Sequence, residues 1–503
     1  MPPSLLEQLP EIIAAGRKQA AHILRNLEAY GGTVLQTREM VMPANGVAAG
    51  ATHDLETGWT GRLIHGDNLA AMAALLAGDE QMPSLRGKLD LIYIDPPFDS
   101  RSDYHMKVAL LDPMRPARTT QIRRQAYSDI WRGGTASYLA MLVPRLILMR
   151  ELLADTGSIY VHLDWHAGHY VKVILDDIMG RQNLRNEIVW CYHGPGSPRM
   201  RQFNRKHDHI YWYSKSDAWT FNADDVRMPL SGPLGGGWAG IDRAALAQRG
   251  KIPEDWWEMA VAARLRVDGI RRTGYATEKP NALLERIIQA SSGPGALVAD
   301  FFGGSGAFAY NAERLSRNWI SVDIGAAACL TARKRLAGHG ARPFLYQTAR
   351  SHPAPTDQSS SGTRGHRLPQ AASRQHLLLH PVERRINSGQ ETLQVRLKNY
   401  VLPSPQANEL DADDRSRLHA VADADPLALI EYWAVDPDYD GKLFRSIWQS
   451  HRSGPAHARQ ALRVSTLAVL RLPRKHGPRQ VCIRAVDVLG LETEVVLRAE
   501  ASA

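Results

Sequence analysis

The run "VADFFGGSGAF", Val298–Phe308, passes from an apolar strand through glycines into a helix. Glycines at such a junction let the backbone take positive φ and approach a ligand. The helix start behind them offers free N–H groups. The next strand, "NWISVDI", Asn318–Ile324, ends at Asp323. A carboxylate about 20 residues past the first glycine suits the two hydroxyls of a ribose. The same alternation extends upstream. "GRLIHGD" from Gly61, "KLDLIYID" from Lys88 and "SIYVHLD" from Ser158 read as strands. "NLAAMAALLAG" from Asn68, "SYLAMLVPRLILMRELLADTG" from Ser137, with a glycine stop, and "LLERIIQASSG" from Leu283 read as helices. Strands alternating with helices predict an α/β fold with a mostly parallel sheet covered on both faces.

The chain has 503 residues, enough for two or three domains. Hydrophobic residues make up 44% and charged residues 22%, an ordinary globular balance, and the net charge of +9 favours a polyanionic partner. The three cysteines, Cys191, Cys329 and Cys482, are scattered with no CxxC. That argues against a disulfide scaffold or zinc cluster and fits a reducing, cytoplasmic location. The N-terminal run reads as an amphipathic helix, too often interrupted by charge to be an export signal. The most apolar segment carries Arg145, Arg150 and a proline, so it does not span a bilayer.

Residues 1–58 read as a helical lead-in followed by a loose loop, and 59–190 and 276–348 as two halves of one α/β domain. Between these halves, 191–275 mixes glycines, prolines, arginines and tryptophans. Residues 101–134 also break the regularity, as functional or disordered loops do. The Ser/Pro/Gln-rich 349–376 reads as a linker. Residues 377–503 form a smaller β-containing C-terminal domain of unknown role. Its "QVCIRAVDVLGLETEVVLRA" is expected to be a hairpin turning near Gly490, and its "LIEYWAVDPDYDGKLFRSIWQS" a surface helix with an aromatic face.

The glycine loop by itself admits three ligand readings, beside a plain turn that binds nothing. "GSGAFA" approximates the dinucleotide fingerprint of a nicotinamide or flavin enzyme. "GGSGA" approximates a serine nucleophile elbow, but Ala307 replaces its final glycine. Phe302-x-Gly304-x-Gly306 fits a loop that holds S-adenosylmethionine. The block "DPPF", Asp95–Phe98, at the end of the strand from Lys88, discriminates among them. An exocyclic amine of a nucleobase is a poor nucleophile because its lone pair is delocalised. It must be held so that the pair points at the methyl donor. The Asp95 carboxylate and the Pro96 carbonyl can each accept one N–H, proline fixes their spacing, and Phe98 can stack on the base. Orientation matters here more than basicity.

With these blocks in this order, residues 61–335 resemble the β-class DNA amino-methyltransferases, of the type III modification-subunit kind, in which "DPPF" precedes "FxGxG". "LIHGDNLAAMAALL", "YLAMLVPRLILMRELLADTGSIYVHLDWH" and "TEKPNALLERIIQASSGPGALVADFFGGSGAF" carry the rest of the likeness. The resemblance implies a class I S-adenosylmethionine-dependent methyltransferase fold, Rossmann-like with permuted motif order, a DNA-recognition insertion at 191–275 and a C-terminal domain. It implies catalytic roles for Asp95, Pro96, Pro97 and Phe98. It implies donor contacts from Asp67, beside the adenine, and from Asp300, Phe302, Gly303, Gly304, Ser305, Gly306 and Asp323, with Lys279 and Pro280 near the methionine end. Two features depart from the family pattern: Ala307 stands where the family usually has threonine, and the loop after "DPPF" is long and arginine-rich. Asp at position 95 favours adenine over the amine of cytosine.

The basic segments 115–125 and 199–213 are candidate contacts to the DNA backbone, through Arg115, Arg118, Arg123, Arg124, Arg199, Arg201, Arg205 and Lys206. A solvated loop is the plain alternative for each. Trp238, Trp256 and Trp257 can pack a small core or touch DNA, and the core is the expectation. His65, His162 and His166 are expected to be structural, and no metal is expected. The expected function is methylation of adenine in double-stranded DNA within restriction–modification or phage defence. The rivals are cytosine-N4 methylation and a silent subunit that holds DNA or a partner. A homodimer or a restriction or defence partner subunit is left open.

Overall fold

The computed structural model describes residues 4–30, 34–42, 59–80, 82–112, 114, 118–194, 201–230, 249–261, 273–350, 376–387, 389–403, 410–452 and 462–501. All structural statements concern these residues. Arg115, Arg199, Trp238 and nearly all of the expected linker lie outside them.

The chain opens with helix α1 (Leu5–Arg25), started by a capping box in which Ser4 Oγ accepts the Glu7 N–H at 3.3 Å and Glu7 Oε2 accepts the Ser4 N–H at 2.6 Å. Strands β1 (Leu35–Val41) and β2 (Gly61–His65), helix α2 (Asn68–Ala77), and strands β3 (Leu89–Ile94), β4 (Asp103–Leu111) and β5 (Thr119–Ser128) follow. Then come α3 (Gly134–Leu152), β6 (Leu153–Leu163), α4 (Gly168–Leu175), β7 (Leu184–Cys191), β8 (His207–Ser214) and β9 (Trp256–Glu258). The α/β part ends with α5 (Asn281–Ser291), β10 (Leu297–Asp300), α6 (Ala307–Arg314), β11 (Asn318–Asp323), α7 (Ala326–Gly338) and β12 (Phe344–Ala349).

Six of these strands lie side by side and parallel in the order β12-β2-β11-β10-β3-β6. Their side chains divide between the two faces with period two. Ile92 and Ile94 of β3 join one core with Leu75 of α2 and Leu142 of α3. Leu91 and Tyr93 join the other with Ile288 of α5 and Phe308 of α6. Each such side chain removed from water contributes about 1.5–3 kcal/mol. Helix α1 covers the first face and packs on α3. A Cβ on Gly16 would lie 2.4 Å from Val143 Cγ1, so glycine permits this close crossing.

Several expectations are corrected. The N-terminal stretch is more than a helix and loop, because β1 pairs antiparallel with β12 and widens the sheet. Helix α3 stops at Leu152 rather than at Gly157, since Leu153 is already extended and begins β6. Residues 103–128 are an antiparallel hairpin, β4 with β5. Strands β7 and β8 belong to the main sheet, where β8 pairs antiparallel with β6, so the stretch from 191 onward is partly framework. Trp257 is buried as expected, whereas Trp256 is 57% exposed.

The C-terminal part contains β13 (Leu377–Leu379), β14 (Glu383–Asn387), β15 (Gln390–Tyr400), α8 (Ala412–Ala424) and β16 (Ile430–Asp436). It continues with β17 (Phe444–Arg445), β18 (Trp448–His451), β19 (Leu467–Pro473), β20 (Arg479–Asp487) and β21 (Glu492–Ala499). The expected aromatic helix is instead β16, β17 and β18. Its apolar run is short and rich in aromatic and branched residues, and "DPDYDG" breaks it into a turn. Strands β20 and β21 form a hairpin whose connection contains Gly490 at φ 85°. One core holds this unit together, and it includes Leu110 and Ile122 from the β4–β5 hairpin. Strand β17 leaves the unit and pairs with β1, at the edge of the main sheet.

Candidate active site

The parallel strands deliver their acids to one edge of the sheet. Asp95 follows β3, Asp300 ends β10, and Asp323 ends β11. Since β10 lies between β11 and β3, the glycine loop and "DPPF" leave adjacent strands, with Asp300 level with Tyr93. A continuous cleft of about 3720 Å³ opens there. Among its lining residues are Asp67, Asp95–Phe98, Lys279, Asp300, Phe302–Ser305 and Asp323. Gly306 and Pro280 are the exceptions among the residues expected near the donor, and Pro280 is the buried N-cap of α5. Gly306 caps α6 with φ 72° and faces α7, where a Cβ would sit 2.5 Å from Ala332 Cβ, so it serves packing.

Asp95 is divided between two tasks. Its Oδ2 accepts a bond from Lys279 Nζ at 2.5 Å, while Oδ1 is buried with no hydrogen-bond partner among the described residues. Lys279 Nζ also lies 5.1 Å from the centroid of the Phe98 ring. Its place is therefore against the "DPPF" block. Phe98 is half-buried, 5.9 Å from the His162 ring. His162 is fully buried and lies between Tyr93 OH at 2.9 Å and Asp208 Oδ2 at 3.2 Å. Burial alone would raise the Asp208 carboxyl, but His162, Lys279 and the Tyr192 hydroxyl together outweigh it and lower the carboxyl.

On the glycine-loop side, Asp323 Oδ2 accepts the Gly304 N–H at 2.8 Å and Oδ1 accepts the Gly325 N–H at 2.7 Å. Burial raises its carboxyl despite those bonds. Asp300 is raised further by burial, although its Oδ1 accepts the Phe302 N–H at 2.9 Å, and the charges of Asp95 and Asp323 add to the effect. The side chain next to Asp323, Ile324, is 69% exposed. Asp67 caps α2 through the Leu69 N–H at 3.0 Å and pairs with Arg145 at 2.7 Å, so one of its oxygens is already engaged.

Several residues here escaped the sequence reading. Arg335 of α7 donates to Ser305 O at 3.2 Å and to Ser305 Oγ at 3.1 Å, and it pairs with buried Glu278. Glu278 adjoins Lys279 in "TEKP", and that adjacency was the only signal available. Asp129 holds the loop after Phe98, and no local motif announces it.

The candidate DNA contacts separate into two groups. In the hairpin, Arg124 faces the C-terminal part, with its Nη1 3.4 Å from Val488 O, while the Arg123 side chain is exposed. The described part of 115–125 is a strand of the hairpin rather than a solvated loop, and Arg123 and Arg124 are among the residues that line the cleft. Arg201, Arg205 and Lys206 precede β8 and are not among the residues that line the cleft. The Lys206 carbonyl accepts the Tyr192 N–H at 2.9 Å, and Tyr192 lines the cleft. Arg205 stacks over Trp165 at 3.8 Å, and Phe203 is 98% exposed.

The residues present fit S-adenosylmethionine. Asp323 offers acceptor oxygens at a strand end, and Gly304, with φ 48°, lines the cleft. Several carboxylates surround the place of a cationic donor. Among the described residues, no group of three or more His, Cys, Asp or Glu is placed to hold a metal, and no helix is long and apolar enough to cross a membrane.

A family model described as DNA methylase, of the N6/N4 type, matches residues 89–334. The chain is 29% identical over 321 residues to the type II methyltransferase M.EcaI of Enterobacter cloacae, covering 50% of this chain and 65% of that protein. It is 26% identical over 249 residues to the type II methyltransferase M.HpaI of Haemophilus parainfluenzae, covering 49% and 68%. It thus spans just under two thirds of the first of these relatives. Both are named as type II rather than type III enzymes. A solved structure, the PvuII DNA methyltransferase (cytosine-N4-specific), is 19% identical with a TM-score of 0.37, covering 56% of this chain and 87% of that one. The motifs and the family match fall on the same residues, and the segment 89–334, which builds most of the cleft, is similar to the N6/N4 DNA methylases.

Proposed function

We propose that this chain methylates the exocyclic amine of a base in DNA, adenine in the first place, with S-adenosylmethionine as donor, in a restriction–modification or related defence system. The observation that carries the reading is the unpartnered, buried Oδ1 of Asp95 beside the glycine loop. A buried acceptor without a partner costs about 1–3 kcal/mol, and an incoming N–H would relieve that cost. Bound S-adenosylmethionine supplies an electrophilic methyl group.

The chain's own groups supply the rest. Lys279 fixes Oδ2 of Asp95 and so aims Oδ1 at one N–H of the amine. The Pro96 carbonyl takes the other N–H. Phe98 stacks on the extruded base, which must leave the duplex because its amine is otherwise paired. As the nitrogen gains the methyl group, it gives up one proton, and Asp95 is the nearest acceptor. Asp323 takes the ribose hydroxyls, and exposed Ile324 covers the adenine ring of the donor. Arg201, Arg205 and Lys206 hold the phosphate backbone without reading sequence. Phe203 and Trp165 add aromatic faces that can stack on bases.

The test is to express the chain and its Asp95→Ala variant in a methylation-free host and to map modified bases genome-wide. A recurring methylated adenine made only by the unaltered chain supports the reading. Methylated cytosine would overturn the choice of base, and an unmodified genome would overturn the activity.

A further inference from the structure

The loop that carries Phe98 is gripped by the buried carboxylate of Asp129, beside a second tie in which Asp99 Oδ2 accepts the Thr135 hydroxyl at 2.5 Å. Asp129 is 1% exposed. Its Oδ2 accepts the Phe98 N–H at 3.0 Å, the Ser100 N–H at 2.8 Å and the Ser100 hydroxyl at 2.7 Å. Its Oδ1 accepts the Asp99 N–H at 3.0 Å and the Trp131 indole N–H at 3.0 Å. Its backbone closes the same ring, with the Asp129 N–H donating to Ser102 O at 3.0 Å and its carbonyl accepting the Arg101 N–H at 3.1 Å. The loop so gripped contains two non-glycine residues at positive φ, Asp99 at 61° and Arg101 at 57°. Such conformations persist only where the surroundings over-determine them. All five side-chain bonds come from uncharged donors, so the charge is held by dipoles alone. An ordinary turn would not require a buried charge.

Asp129 stands at the root of the β4–β5 hairpin, whose two strands begin and end at this loop. The far half of the hairpin is embedded in the C-terminal unit. Leu110 and Ile122 are fully buried in its core. Asp414 Oδ2 accepts the Arg123 N–H at 2.8 Å, Arg417 donates to Gln121 O at 3.3 Å, and Arg452 bonds the Ala109 carbonyl. The hairpin is thus a strut between residues 377–503 and the loop that bears the stacking ring.

We propose that Asp129 is a positioning residue that fixes Phe98 and the loop for methyl transfer, and that the C-terminal unit acts on the transfer through the strut. The proposal rests on the methylation reading above. Asp129→Asn keeps the shape but turns one acceptor into a donor facing N–H groups. Ile122→Ala loosens the far end of the strut.

The experiment uses full-length chains, methylation-free bacterial genomic DNA and tritiated S-adenosylmethionine. It measures single-turnover rates at saturation, the KM for DNA, and donor affinity by calorimetry. Asp129→Asn is expected to bind the donor within about twofold of the parent and to transfer at least about 100-fold more slowly, the effect of roughly 1 Å of misplacement. Ile122→Ala should show the same split, with a loss of about tenfold. A parent-like rate in Asp129→Asn, or equal losses of donor binding and rate, overturns the positioning role. A parent-like rate in Ile122→Ala overturns the role of the C-terminal unit. A parent chain that transfers nothing refutes the methylation reading and the proposal together, and that outcome is distinct from the others.

Discussion

Replacing Arg335 by methionine should separate the support of the glycine loop from the stability of the fold. The guanidinium side chain is 3% exposed and its partner Glu278 is 9% exposed. Burial lowers the Arg335 pKa to about 10. Methionine fills much of the same space but leaves Glu278 as a buried charge without its cation, which costs about 3–5 kcal/mol. At about 2 °C per kcal/mol for a unit of this size, Tm should fall by about 6–10 °C. Adding Glu278→Gln removes the stranded charge, while its amide oxygen can still accept from Thr273, as the carboxylate does at 2.6 Å and 3.2 Å. The double variant should therefore recover most of the lost Tm. Donor affinity should stay about tenfold weaker in both variants, about 1.4 kcal/mol, because Ser305 has lost its two bonds to Arg335. Scanning calorimetry and donor titration of the parent, both single variants and the double variant complete the cycle. A double variant no more stable than Arg335→Met, or a single variant with an unchanged Tm, would refute the reasoning.

Phe203→Ala should weaken DNA binding about tenfold, within the ~1–3 kcal/mol of a base–aromatic stack, and leave donor affinity and Tm unchanged; fluorescence anisotropy with unmodified duplex DNA reads this, and an unaltered affinity rejects the surface. Gly306→Ala should destabilise by about 2–4 kcal/mol, combining the left-handed backbone with overpacking against Ala332, and urea unfolding measures it. Glu391 gives a pH dependence. Burial alone would raise this carboxyl, but Arg384, the Lys475 amide and Arg479 bring it down from the usual 4.5 to about 2. A depressed pKa contributes stability above pH 4.5 that is lost as pH falls toward 2, about 3 kcal/mol at about 1.4 kcal/mol per pH unit. Glu391→Gln should be less stable at pH 7 and should flatten that acid limb; an acid limb as steep as the parent's would show that another group controls it.

The elements of the cleft were legible because each is local. An apolar run bounded by Asp or Gly identifies β3, β10 and β11 without reference to anything distant. Their adjacency was legible only through resemblance, because strand order is a property of the whole sheet. What escaped depends on remote partners. "LQTREMV" does not advertise a strand, since Glu39 reads as exposed until Arg333 is brought against it in a buried pair. "DYHMKVALL" resembles a polar insertion because the core that receives Leu110 comes from the far end of the chain. The aromatic run at 430–451 satisfies helix and strand about equally, and the antiparallel partners β18 and β20 settle it. Asp129 is the extreme case, a lone acid whose five donors are assembled only by folding.

The seating of Leu110 and Ile122 among C-terminal side chains limits how this protein can be divided. Severing the chain between 350 and 376 would leave the α/β segment with two newly wetted aliphatic residues on its hairpin, and β1 without Phe444 and Arg445 along its outer edge. Such a fragment would carry both a sticky finger and an unprotected strand, two routes to aggregation. An exchange of C-terminal halves between relatives must therefore carry the matching hairpin with it.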